Sequence, residues 1–172
     1  MKTGFISLIG RPNAGKSTLL NQILERKIAI VSAKPQTTRT RITGIFTTPD
    51  AQMVFVDTPG IHKPKHRLDQ YMQEAATSSI YDGDVIYYVV DASVPFGGGE
   101  QFILDQLAKI EAPVFLLLNK IDMMTPEEIM RAIVKWQSRR EFAEIFPLSA
   151  ERGDKLNHVM LDDKIPAGSR LV

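Results

Sequence analysis

Residues 5–17 read Phe5-Ile6-Ser7-Leu8-Ile9-Gly10-Arg11-Pro12-Asn13-Ala14-Gly15-Lys16-Ser17, a short apolar run that breaks into a glycine-bounded loop and ends on Lys-Ser. The last eight residues match G-x-x-x-x-G-K-[ST], and the spacing has a physical reason. Glycines let the backbone curl so that successive N–H groups point inward at phosphate oxygens. A helix opening near Gly15 adds the positive end of its dipole. Lys16 would bridge the outer two phosphates of a nucleotide, and the Ser17 hydroxyl would ligate magnesium. Asn13, Ala14, Gly15, Lys16, Ser17 and Thr18 are therefore the predicted contacts at this end of the ligand. An ordinary strand–loop–helix turn with a surface lysine is the plainer alternative, and the motifs further along the chain weigh against it.

Beyond this stretch, short apolar runs alternate with amphipathic ones, the pattern of a parallel sheet built from βαβ units. Strands are predicted over Phe5–Ile9, Arg41–Thr47, Gln52–Val56, Val85–Val90, Val114–Leu118 and Ile145–Leu148. Three of them are nearly unbroken apolar runs (MVFV, VIYYVV and VFLLL), as strands covered on both faces require. Thr48-Pro49-Asp50 separates the second and third strands and reads as a hairpin turn, which makes one strand antiparallel. Helices are predicted over Lys16–Arg26, Leu68–Ile80, Gly99–Ile110 and Pro126–Arg140, with a short one near Asp154–Leu161. Thr125-Pro126-Glu127-Glu128 supplies an N-cap, a first-turn proline and early carboxylates. Ile129, Ile133 and Trp136 then recur at helical spacing, so the sole tryptophan is expected in the core. The fold class is α/β: a P-loop NTPase fold with a mostly parallel sheet of about six strands, one of them antiparallel, and helices on both faces.

Composition narrows the field. A chain of 172 residues suits one domain, here residues 1–164, with 165–172 (IPAGSRLV) read as the start of a linker. There is no cysteine, which removes disulfides, thiolate metal sites and cysteine nucleophiles together. The apolar run at the N-terminus stops at Arg11-Pro12, too short for a signal peptide, and nothing approaches a membrane span. A cytoplasmic location is expected. The net charge of +1 hides an asymmetry: residues 1–67 carry 11 Lys+Arg against 3 Asp+Glu, whereas residues 68–172 carry 10 against 17. The basic half contains the phosphate loop. Its remaining cations are read first as solvated surface and second as a face that steers phosphates.

Three further motifs each follow a predicted strand, where ligands of open α/β sheets gather. In Asp57-Thr58-Pro59-Gly60, Asp57 can hold magnesium directly or through water, and the Gly60 amide can meet a γ-phosphate. In Asn119-Lys120-Ile121-Asp122, the Asp122 carboxylate can accept two hydrogen bonds, which suits the N1–H and 2-amino donors of guanine. Adenine would face that carboxylate with a lone pair, and a site built on such pairing discriminates by roughly 10⁴ or more. The stem of Lys120 would lie over the base, and Asn119 would tie this loop to the phosphate loop. The backbone at Ser149-Ala150 would donate to guanine O6. The ligands are thus expected to be GTP or GDP with Mg2+.

These residues, with Ile30–Arg41 (IVSAKPQTTRTR) and Asp57–His62 (DTPGIH) followed by Lys63-Pro64, resemble the Era-type GTPases. The resemblance implies that Thr38 closes on magnesium when GTP is bound, and that Lys16, Thr38 and Gly60 serve the hydrolysis of GTP. Related tRNA-modifying GTPases have Thr-Arg-Asp where this chain has Thr38-Arg39-Thr40. The residue after Gly60, a glutamine in Ras-like enzymes, is Ile61, which can neither donate nor accept a hydrogen bond. Slow intrinsic hydrolysis is therefore expected. Asn13 matches the asparagine that holds K+ against the phosphates in related GTPases. The Gly97–Gly99 run is read as a flexible loop, and His62 and His66 as part of a mobile loop, not a metal site. Era-type proteins act in small ribosomal subunit assembly and bind 16S rRNA through a C-terminal KH domain. No two of the 11 glycines here are spaced i, i+3, so the G-x-x-G of a KH module is absent. The resemblance further implies a monomer with peripheral membrane association. Two alternatives stay open: a nucleotide-gated binding module with negligible hydrolysis, and the nucleotide domain of a tRNA-modification protein.

Overall fold

In the computed structural model, six strands form one sheet: β1 (Lys2–Ile9), β2 (Arg41–Thr47), β3 (Ala51–Asp57), β4 (Val85–Asp91), β5 (Val114–Asn119) and β6 (Glu144–Pro147). Three helices accompany them, α1 (Lys16–Arg26), α2 (Gly98–Leu107) and α3 (Pro126–Arg139), with a single 3-10 turn at Ile121–Met123. The residues described are 2–11, 13–26, 41–47, 49–57 and 83–153. The predicted helices Leu68–Ile80 and Asp154–Leu161 and the linker 165–172 lie outside them.

The strands are ordered β2-β3-β1-β4-β5-β6. All neighbours pair in parallel except β2 and β3, the predicted hairpin, whose register shifts by one residue between Ile42 and Gly44. The apolar runs explain the layering. In β4, Val85, Tyr87 and Val89 enter one core, while Ile86, Tyr88 and Val90 enter the other. This is the two-residue period of a strand covered on both sides. Leu19, Leu20 and Ile23 of α1 seal the first core. Ile103, Leu104 and Leu107 of α2 seal the second with Trp136 of α3. Burying each such side chain contributes about 1.5–3 kcal/mol. Trp136 is buried as expected, edge-on to Tyr88, Phe96 and Phe142 at centroid distances of 5.8, 5.3 and 6.3 Å.

The start of α3 has the anticipated capping box. The Glu128 amide donates to Thr125 Oγ1 at 3.3 Å, and the Thr125 amide donates to Glu128 Oε1 at 3.4 Å. One expectation is corrected. The Gly97–Gly99 run is not a loop throughout, because Gly98 and Gly99 form the first turn of α2. The cause is Glu100, whose carboxylate accepts the Gly97 amide at 3.2 Å and pairs with Arg11 of the phosphate loop at 3.3 Å. Capping from the helix interior compensates for glycine's poor helix propensity. Among the described residues no helix is long and apolar enough to cross a membrane.

Trp136→Ala is expected to lower unfolding stability by about 3–5 kcal/mol, and Thr125→Ala by about 1 kcal/mol. Urea denaturation followed by circular dichroism checks both. A Trp136 substitution costing less than the cap substitution would contradict the placement of that ring in the core.

Candidate functional site

The carboxyl ends of β1, β3, β4, β5 and β6 lie along one edge of the sheet, because these strands are mutually parallel. At that edge stand Gly10 after β1, Asp57 closing β3, Asp91 closing β4, Asn119 closing β5, and Leu148-Ser149 after β6. β1 pairs with β3 on one side and β4 on the other, and the chain passes from β1 to the β2–β3 hairpin on the first side and then from β3 to β4 on the second, so β1 flanks the point where strand order reverses. Open α/β sheets bind ligands there.

The phosphate loop leaves β1 through a turn that only small residues allow. A side chain at Gly10 would collide with the Val89 carbonyl. Asn13 adopts φ +67°, a left-handed conformation that asparagine tolerates, and Gly15 follows at φ +102°. A side chain at Gly15 would meet Asn119 Nδ2. The Ala14 amide donates to the Arg11 carbonyl at 3.2 Å, and the Leu19 amide to the Gly15 carbonyl at 2.9 Å, where α1 begins. Ser17 and Thr18 are exposed on the first turn of α1, and Lys16 is half-buried. This curled backbone at a helix N-terminus fits a phosphate group. Ser17 and Asp57, the last residue of β3, carry oxygen donors of the hard kind that suits Mg2+. Thr38 and Gly60 lie outside the described residues, and for Asp57 only the backbone position is described.

Asn119 is the centre of the site. Its side chain is 2% exposed. Nδ2 donates to the Ala14 carbonyl at 3.0 Å, and Oδ1 accepts the Ala150 amide at 2.9 Å. The phosphate loop, the end of β5 and the segment after β6 are thereby joined through one side chain, as expected for the first of the three. The Ala150 amide is consequently engaged inside the protein. It is one part of the Ser149-Ala150 backbone that was expected to donate to guanine O6.

Beside Asn119, Lys120 leaves the strand at φ +68°, ψ +32°. Its ammonium donates to the Asn13 carbonyl at 3.0 Å and pairs with Asp91 Oδ2 at 2.8 Å. Asp122 sits in the 3-10 turn with Oδ1 accepting the Ser149 hydroxyl at 2.8 Å. Ser149 is fully buried, and its Oγ also accepts the Arg152 amide at 3.3 Å. An open cleft of about 450 Å3 remains, lined by Gly15, Thr18, Asn119, Lys120, Asp122, Ser149 and Glu151. Residues from three separate motifs, the phosphate loop, the Asn119–Asp122 segment and the segment at Ser149, thus meet around one ligand-sized space.

Sequence reasoning missed two contributors. One is the Ser149 hydroxyl, because a Ser-Ala pair carries no signal of its own until Asp122 is placed beside it. The other is Asp91, directly in register with Asn119 across β4 and β5. A carboxylate closing an otherwise apolar strand was the available clue. Burial raises the Asp91 carboxyl, but hydrogen bonds from Lys120 and Ser93 outweigh it and hold its pKa below the ordinary carboxylate value.

Residues 5–120 match the family described as 50S ribosome-binding GTPase. GTPase Era of Lacticaseibacillus paracasei is 49% identical over 168 residues, which are 96% of this chain and 56% of that protein. A crystal structure of Era in complex with MgGDPNP and nucleotides 1506–1542 of 16S ribosomal RNA matches with a TM-score of 0.82 at 36% identity, covering 100% of this chain and 60% of its own. A variant of Aquifex aeolicus Era bound to GDP and aluminium fluoride matches at 0.81 and 34%, again over 100% of this chain and 60% of its own. This chain therefore spans little more than half the length of these relatives. Elongation factor SelB from Methanococcus maripaludis shares the fold, with a TM-score of 0.74 at 19% identity over 100% of this chain and 35% of its own. Matched to the family over residues 5–120 and to GTPase Era at 49% identity over 168 residues, the chain belongs to the 50S ribosome-binding GTPase family and is a homologue of Era.

Proposed function

We propose that this chain binds GTP and GDP in the cleft at the sheet edge and hydrolyses GTP to GDP and phosphate, as a magnesium-dependent switch in small ribosomal subunit assembly. The observation that carries the reading is the Asp122 carboxylate, held by the Ser149 hydroxyl at 2.8 Å beside a cleft roofed by Lys120. Its second oxygen and remaining lone pairs are suited to a donor–donor edge, which guanine has and adenine lacks. The backbone at Gly10, Asn13 and Gly15, with its positive φ angles, and the half-buried Lys16 would meet the phosphates at the other end.

Hydrolysis follows from positioning and charge. Attack of water on the γ-phosphate builds charge that preorganised amides and a lysine stabilise, with little covalent work for the protein. Lys16 and the loop amides provide that field. Ser17, Asp57 and Thr38 would hold Mg2+, which neutralises phosphate charge when bound. Thr38 and Gly60 would close on the γ-phosphate and release after its loss, which is the switch. Ile61 offers no polar group to orient water, so intrinsic turnover is slow, and Asn13 is the candidate ligand for a K+ ion that speeds it. One Era relative carries GDP with aluminium fluoride and another MgGDPNP with a 16S rRNA fragment, which supports both the chemistry and the ribosomal setting. Those relatives are longer than this chain, and we read residues 1–164 as the nucleotide-binding unit, with rRNA recognition belonging to the full-length protein.

Two outcomes test the reading. Asp122→Asn should weaken GTP about 100-fold or more and gain xanthosine triphosphate, since two charge-assisted hydrogen bonds are lost and a keto-selective amide replaces them. Competition against a fluorescent nucleotide measures it, and unchanged GTP affinity would remove the base assignment. Single-turnover hydrolysis should run faster in KCl than in NaCl at matched ionic strength. Equal rates would remove Asn13 from K+ binding, and absence of hydrolysis in both would favour a nucleotide-gated binding module instead.

A further inference from the structure

Beside the buried Asn119 contact to Ala14, the Lys120 ammonium also reaches from the base loop to the phosphate loop, and something must hold a flexible four-carbon stem in that position. A lysine side chain gives up much rotamer freedom when fixed in one geometry, so holding it there has a cost. Two acceptors hold this one. The Asn13 carbonyl accepts at 3.0 Å, and Asp91 Oδ2 pairs at 2.8 Å, with the two side chains 33% and 17% exposed.

Asp91 is itself fixed. Its Oδ1 accepts the Ser93 amide at 3.0 Å and also the Ser93 hydroxyl, a short local turn that sets the carboxylate's direction. Its backbone is anchored by the register Asp91↔Asn119, and the next amide, Ala92, donates to the Asn119 carbonyl at 3.0 Å. The chain of restraint therefore runs from β4 through Asp91 to Lys120, and from Lys120 to the carbonyl of Asn13, whose φ of +67° belongs to the phosphate loop. Asp91 does not line the cleft around Asp122, so any effect it has on a ligand there passes through the lysine.

We propose that Asp91 is a positioning residue that sets nucleotide dwell time: it clasps Lys120 so that the lysine stem stays across the base cleft and its ammonium stays on the Asn13 carbonyl. This deepens the guanine-nucleotide reading and rests on it. The ligand class is a guanosine di- or triphosphate without preference between them, because the clasp sits beside the base and not beside the γ-phosphate. A charge-assisted hydrogen bond at a half-buried site corresponds to about a tenfold change in an equilibrium. Loss of the clasp should appear in dissociation more than in association, as most affinity changes within one interface do.

The test is a double-mutant cycle on the chain, read by stopped-flow displacement of fluorescent GDP and GTP. Asp91→Asn should speed dissociation of both nucleotides about tenfold, and Asp91→Glu, which keeps the charge, should recover part of the loss. Lys120→Ala should weaken binding further, and Asp91→Asn added to Lys120→Ala should then cost nothing more. Dissociation unchanged in Asp91→Asn, or an equal loss with and without Lys120, would overturn the proposal, since a merely structural role for Asp91 acts independently of the lysine. Failure of the underlying reading looks different: the unsubstituted chain would bind ADP as tightly as GDP, and the proposal would fall with it.

Discussion

The buried amide of Asn119 is the interaction on which the site depends. One planar group satisfies the carbonyl of Ala14 and the amide of Ala150, which are 105 and 31 residues away along the chain. Neither partner has water as an easy substitute at 2% exposure. Leaving such a buried group unpaired costs about 1–3 kcal/mol. The constraint extends to its neighbours. Gly15 must lack a side chain because Asn119 Nδ2 occupies that space, and the curl of the phosphate loop and the identity of residue 119 are therefore one requirement. From that fixed point the other contacts follow: Lys120 reaches across to Asn13, and Asp122 turns to meet Ser149.

Charge is arranged around the same point. Residues 1–67 carry a surplus of cations and residues 68–172 a deficit, and the Arg11–Glu100 pair is one contact between the two. Arg11 of the phosphate loop pairs with Glu100 at the start of α2, and Lys120 pairs with Asp91 at the end of β4. These pairs engage both carboxylates with cations of the phosphate loop and the base loop. They also explain why helix α2 begins within a glycine run: its first turn is tied to the phosphate loop through Glu100.

Much of this was legible in the sequence because the governing patterns are local. The apolar runs at 53–56, 85–90 and 114–118 become strands buried on both faces, and the Thr48-Pro49-Asp50 break becomes the antiparallel hairpin. The Thr125–Glu128 cap and the burial of Trp136 followed from spacing alone. What was hidden is long-range. The 3-10 turn that presents Asp122 depends on Lys120 adopting a left-handed φ, which no propensity announces. The first turn of α2 overrides its glycines through a contact with Arg11, 89 residues away. The Ala150 amide, part of the backbone expected to meet guanine O6, donates to Asn119 Oδ1, a partner 31 residues away. Asp91 drew no notice for the same reason: its partner stands on the adjacent strand and in another motif.

The central claim is that three motifs converge on a cleft whose polar edge selects guanine. Displacement of fluorescent GDP from the unsubstituted chain by unlabelled GDP and by ADP, in the presence of Mg2+, tests it most directly. The account predicts that ADP competes only at concentrations on the order of 10⁴ times higher than GDP. Displacement by the two nucleotides at similar concentrations would contradict it.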